Sequence, residues 1–149
     1  MDKIISDMKS YAYGEYATRI PAKPTVKDTL TRLKELGADL NILTASPHSV
    51  LDVCLKRLGI YELFTNVWSC DDFEFTKADA GIYLAAAERI GRSPEEILFV
   101  DDNVGAVKTA VSAGMKVCGI YDKSSEDYEG EIRSAADYYA KELCEILEL

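Results

Sequence analysis

Residues Ile97-Leu98-Phe99-Val100-Asp101-Asp102 carry the reading that decides how this chain folds. Four apolar residues in a row predict a strand buried on both faces, the pattern of a parallel sheet covered by helices. Two adjacent carboxylates end the run. Asn103 to Ala113 then reads as a helix, with Val104, Val107 and Val111 on one face and Gly114 as its stop. Strand, polar end, helix, glycine is the unit that repeats along the chain.

Working outward, Thr25 is placed to cap a helix, with Asp28 three residues on as a capping box. Val26, Leu30, Leu33 and Leu36 recur at helical spacing before Gly37. The apolar run Leu40 to Leu43 ends at Thr44. Ser46 then reads as an N-cap with Pro47 at the first helical position, followed by Val50, Leu51, Cys54, Leu55 and Leu58 on one face. Val67-Trp68-Ser69 predicts a short strand, and Asp79 to Ile90 a helix closed by Gly91. Ser93-Pro94-Glu95-Glu96 is another cap signal. Lys116 to Ile120 predicts a last strand, and a final amphipathic helix carries Leu143, Ile146 and Leu147. Strands alternating with helices predict an α/β fold with a parallel sheet, helices on both faces and three layers.

The composition agrees with this and narrows the function. With 149 residues the chain is about one domain, 48% hydrophobic and 29% charged, which argues against a disordered or disulfide-scaffold protein. A net charge of −9 disfavours a general nucleic-acid binder. The same charge opposes an anionic substrate unless a local site reverses the field. Cys54, Cys70, Cys118 and Cys144 are widely spaced and His48 is the sole histidine, a poor pattern for structural zinc. Cys54 and Cys118 read as buried free thiols. No apolar run is long enough to span a membrane and no secretory signal is visible, so the expected setting is cytoplasmic, without membrane contact.

Ligands of open parallel sheets bind beyond the carboxyl ends of the strands. The residues there are Thr44 and Ser46, Lys77 in the loop after the Val67 strand, and Asp101 with Asp102. Each alone has an ordinary reading as a strand end, a cap or a solvated charge. Together they predict a site. Adjacent carboxylates repel and need a cation. An all-oxygen donor pair suits Mg²⁺, which keeps waters and takes phosphate oxygens. Hydroxyls at a helix start suit a phosphate, and a lysine adds a point charge.

At this point the chain resembles a known family. Leu40 to Ser46 (LNILTAS), Lys77 with its surroundings (TKADAGIYLAAAERIG) and Ile97 to Met115 (ILFVDDNVGAVKTAVSAGM) resemble the second, third and fourth motifs of the haloacid dehalogenase (HAD) superfamily, in order and at similar spacing. The resemblance runs from Pro24 to the C-terminus and is nearest to the β-phosphoglucomutase-like phosphatase branch. It implies a HAD-like, Rossmann-like α/β core and a Mg²⁺-dependent phosphoryl-transfer hydrolase acting on a small phosphorylated metabolite. It also implies that Thr44 binds the transferring phosphoryl group with Ser46 nearby, and that Lys77 steadies nucleophile and phosphate. Asp101 and Asp102 would hold Mg²⁺, with Asp102 favoured as the direct ligand.

The family's first motif, D-x-D followed by Gly-Thr, occurs nowhere in the sequence. Asp7, after Lys3-Ile4-Ile5-Ser6, would be the nucleophile only if residues 3–7 formed the first strand. However, Ile4, Ile5, Met8, Tyr11, Ala12 and Tyr16 share a helical face. Residues 1–22 therefore read as the last cap helix and hinge of the helical-cap branch, or as a degenerate first strand, and residues 23–149 as the core. On the helical reading the chain is expected to be truncated and impaired without its aspartyl nucleophile. The empty strand position would then be filled by a second chain, by direct pairing of the strands ending at Thr44 and Val100, or by residues 3–7. The alternative function is a catalytically inactive phosphate- or partner-binding domain. A receiver-like signalling domain ranks below both, because there the acidic pair comes early and the lysine last.

Overall fold

The structure, a computed structural model, describes residues 2–149. Its elements run α1 (Asp2–Thr18), α2 (Val26–Glu35), β1 (Asn41–Thr44), α3 (His48–Arg57), β2 (Asn66–Ser69), α4 (Ala80–Ile90), β3 (Leu98–Asp101), α5 (Val104–Ser112), β4 (Lys116–Ile120), α6 (Glu129–Ala135) and β5 (Tyr138–Ala140). Every strand pair is parallel. The fold is α/β, and it divides into two compact units, Met1–Asp72 and Phe73–Leu149.

In the first unit β1 pairs with β2, Thr44 standing opposite Ser69. Helix α2 ends where expected: Gly37 takes φ 87°, and the Gly37 and Ala38 amides return to the carbonyls of Lys34 and Leu33. Its start differs from the expected capping box. Thr25 sits at φ 66°, in the left-handed region, and its side chain makes no cap bond. Helix α1 lies against α3, and Arg57 at the end of α3 donates from Nε to the Tyr16 carbonyl at 3.2 Å and from Nη2 to that of Ile20. Its first half leaves Ile4, Ile5, Met8 and Tyr11 exposed. Residues 3–7 are thus helical, and Asp7 stands on a helix rather than at a strand end.

In the second unit the strand order is β3-β4-β5, with Asp101 opposite Gly119. Ser93 and Glu96 form the expected capping box, and Asn103 caps α5 by accepting from the Ala106 amide at 3.0 Å. The core is Ile82, Tyr83 and Ala86 of α4 against Val107 and Ala110 of α5, with Val117, Cys118 and Ile132 beneath. Cys54 and Cys118 are free and buried, as expected.

Three expectations give way. The run Leu98–Asp101 is not buried on both faces. It occupies an edge, and Leu98 is 40% exposed. Among the described pairings β1 pairs with β2 and β3 with β4. The last helix is a 3-10 helix, Leu143–Glu148, while α6 and β5 were not anticipated. Both are short, and Tyr138-Tyr139-Ala140 carries too few residues to show an alternation.

Candidate functional site

Thr44 ends β1, and its Oγ1 accepts from the Ser46 amide at 3.1 Å. The hydroxyl therefore fixes the turn that leads into α3, and the half-buried Ser46 side chain follows directly. Ser46 is not the cap of α3. The structure puts Pro47 at that position at ψ 153°, with no side-chain cap bond, so the helix begins at His48. Pro47 itself takes the extended backbone, which moves the start one residue on.

In the second unit the sequence brings two predicted residues together. Lys77 and Asp101 lie 24 positions apart, and the Lys77 ammonium donates to Asp101 Oδ2. Their side chains are 21% and 11% exposed, so the pair is only partly screened by water. The second oxygen of Asp101, Oδ1, accepts from the Asn103 amide at 2.8 Å. Asp102 follows in the same turn, half-buried, ahead of α5.

Two residues that were read only as core hold this pair in place. The Lys77 ammonium lies 5.3 Å from the centroid of the Phe99 ring. Tyr83 meets Phe99 edge-on, with centroids 5.1 Å apart and planes at 81°. The fully buried Tyr83 also donates its hydroxyl to the Lys77 carbonyl at 2.9 Å. Periodicity marks Tyr83 as buried, but not which group its hydroxyl meets.

The donor chemistry admits Mg²⁺ with help. Both oxygens of Asp101 are already engaged, and among the described residues no group of three His, Cys, Asp or Glu side chains gathers to hold a metal. Two carboxylates suit a cation that fills its remaining positions with water and phosphate oxygens, and Asp102 is the residue that would hold it.

The fold is parallel α/β, β1 ends in a hydroxyl turn and β3 in a lysine-paired carboxylate, and residues 2–114 match the family model for haloacid dehalogenase-like hydrolases. The chain belongs to that family. It is 33% identical over 119 residues to phosphoglycolate phosphatase of Escherichia coli (strain K12), covering 79% of this chain and 47% of that protein. It is 30% identical over 119 residues to pyrophosphatase PpaX of Bacillus velezensis, covering 80% and 55%. A solved structure described as a predicted phosphoglycolate phosphatase from Haemophilus somnus superposes with a TM-score of 0.81 at 27% identity, over 93% of this chain and 62% of that one. The chain spans about half the length of the curated relatives it matches.

Proposed function

We propose that Lys77, Asp101 and Asp102 form the phosphate- and Mg²⁺-binding part of a phosphatase acting on a small phosphoester. The observation that carries the reading is the Lys77–Asp101 pair at the end of β3, with Asp102 beside it. Lys77 supplies the positive charge for a phosphate and Asp102 holds the cation; Thr44 and Ser46, in the first unit, keep the phosphate-binding role that the family resemblance implies. Bound Mg²⁺ would neutralise the phosphate and the local acidic charge. This reverses, at one place, a net charge of −9.

Transfer through an aspartyl intermediate also needs a carboxylate nucleophile. The 149 residues hold no D-x-D, and Asp7 lies on α1. That observation favours a second reading, in which these residues bind phosphate or a partner without turnover. In the first reading a nucleophile-bearing strand would have to come from outside these residues, and a second chain laid on the edge of β3 is one source.

Titration with orthophosphate and Mg²⁺ tests the shared part. Together they are expected to raise the melting temperature by linkage, and Lys77→Met or Asp102→Asn to remove the shift. No shift in the unaltered protein overturns the reading. Hydrolysis of phosphomonoesters by the same preparation then separates the two: turnover supports the phosphatase, and binding without turnover supports the inactive domain.

A further inference from the structure

His48, the first residue of α3, touches a carboxylate with each ring nitrogen. Nδ1 lies 2.9 Å from Asp52 Oδ1, one turn along the same helix, and Nε2 lies 2.7 Å from Asp72 Oδ2, in the turn after β2. A neutral imidazole has one N–H and one lone pair, so it can satisfy only one of two carboxylates. The charged ring satisfies both. Neither contact is deeply buried: the His48, Asp52 and Asp72 side chains are 40%, 30% and 32% exposed, so the ring can exchange its proton with water.

We propose that His48 is a proton-operated latch that positions the β1–α3 turn carrying Thr44 and Ser46. All its members lie in the first unit. Charged, the ring ties the start of α3 to the turn Cys70–Asp72, whose Asp72 Oδ2 also accepts from the Ser69 amide at 2.9 Å. Ser69 is fully buried and stands opposite Thr44 in the sheet. The latch therefore joins two turns that leave the carboxyl ends of neighbouring strands. When the ring loses its proton, one nitrogen turns a lone pair to a carboxylate and that contact opens.

The carboxylates of Asp52, from α3 itself, and Asp72, from the turn after β2, are the charged groups that bear on the ring. Their hydrogen bonds hold its titration above the ordinary value of 6.5, against the opposing effect of burial. Helix α1 also packs on α3, and the hydrogen bonds between this segment and α3 run from Arg57 at the opposite end. A raised value in the folded state means that the contribution is complete below the unfolded value of His48 and fades as pH rises through the folded one. The latch is closed below the ordinary value of 6.5 and opens as pH rises through the raised folded value.

The effect on ligand binding rests on the phosphate-binding reading of Thr44 and Ser46, so two readouts are needed. As the sole histidine, His48 gives one set of imidazole nitrogen signals in NMR of the full chain. Both nitrogens are expected to be protonated at pH 6.5, with a titration midpoint above 6.5 that falls in Asp72→Asn. Orthophosphate affinity is then compared between the unaltered protein and His48→Gln at each pH, which cancels the titration of phosphate itself. The variant is expected to bind about fivefold more weakly at pH 6.5 and equally at pH 9. A midpoint at or below 6.5, or one that Asp72→Asn leaves in place, overturns the latch. A constant affinity ratio across pH overturns its coupling to the turn. If neither protein binds phosphate while the midpoint behaves as expected, the latch stands and the phosphate-binding reading fails. Should His48→Gln not fold, Asp72→Asn replaces it in the affinity series with the same expected trend.

Discussion

The Lys77 ammonium is held by the Asp101 carboxylate on one side and the Phe99 ring on another. If Lys77 meets a phosphate as proposed, its cation is already ordered before the ligand arrives, which lowers the entropic cost of binding. The same arrangement makes the two residues interdependent. Lys77→Met leaves Asp101 with the Asn103 amide, and is expected to cost about 2 kcal/mol, less than for a fully buried pair because water reaches both side chains. Adding Asp101→Asn should recover part of that loss in urea unfolding. Strict additivity of the two changes would show that the pair contributes nothing.

Tyr83→Phe isolates the hydroxyl. The ring keeps its edge-on contact with Phe99, while the Lys77 carbonyl loses its donor at 2.9 Å. The expected cost is about 1 kcal/mol of stability. Orthophosphate affinity should fall with it, since the main chain at Lys77 is no longer fixed; an unchanged affinity would assign Tyr83 to the core alone.

Gly119 faces the second test of close packing. A methyl group there would run into the Ile132 side chain and come within 3.0 Å of the Tyr139 ring. Gly119→Ala is therefore expected to destabilise by about 1–3 kcal/mol, with Ile132→Val in the same chain restoring part of it. Differential scanning calorimetry of the single and double variants checks both.

The acid limb of stability should depend on Asp137. Its carboxylate accepts from the Val117 amide at 2.9 Å and pairs with Lys116, and the amide bond above all holds it below the ordinary 3.8. With the folded value depressed, its contribution is present above 3.8 and disappears as pH falls through the folded value. Asp137→Asn is expected to unfold more easily at pH 7 and to show a flatter loss of stability between pH 5 and pH 2, roughly the range over which carboxylates protonate. An unchanged acid slope would remove Asp137 from the account.

Arg57 anchors the end of α1 through two main-chain carbonyls, Tyr16 and Ile20. Arg57→Ala should free this segment and speed limited proteolysis after Lys23 or Arg19, with the rest of the chain cut as before. Lysine is not an equivalent replacement, because only the guanidinium forks to two acceptors.

Much of this site was legible along the chain. Thr44 and Asp101 were read at strand ends, and the structure puts both there. Gly37, Gly91 and Gly114 read as stops along the chain, and all three have positive φ. Less could be read where a proline or a partner shifts the outcome. Ser46 lost its capping role to the extended backbone at Pro47. The apolar run at β3 gave no sign that it would lie at an edge, since an apolar strand looks the same with one neighbour or two.

The division between sequence and tertiary structure follows the reach of the forces. The glycine stops, the Ser93 cap and the strand–helix alternation depend on bonds within four or five residues, so the order of residues determined them. The pairs Lys77–Asp101 and His48–Asp72 each join groups 24 positions apart. Which charge meets which carboxylate was decided only when the strands had paired and the helices had packed, because a hydrogen bond requires contact in space that no local pattern specifies.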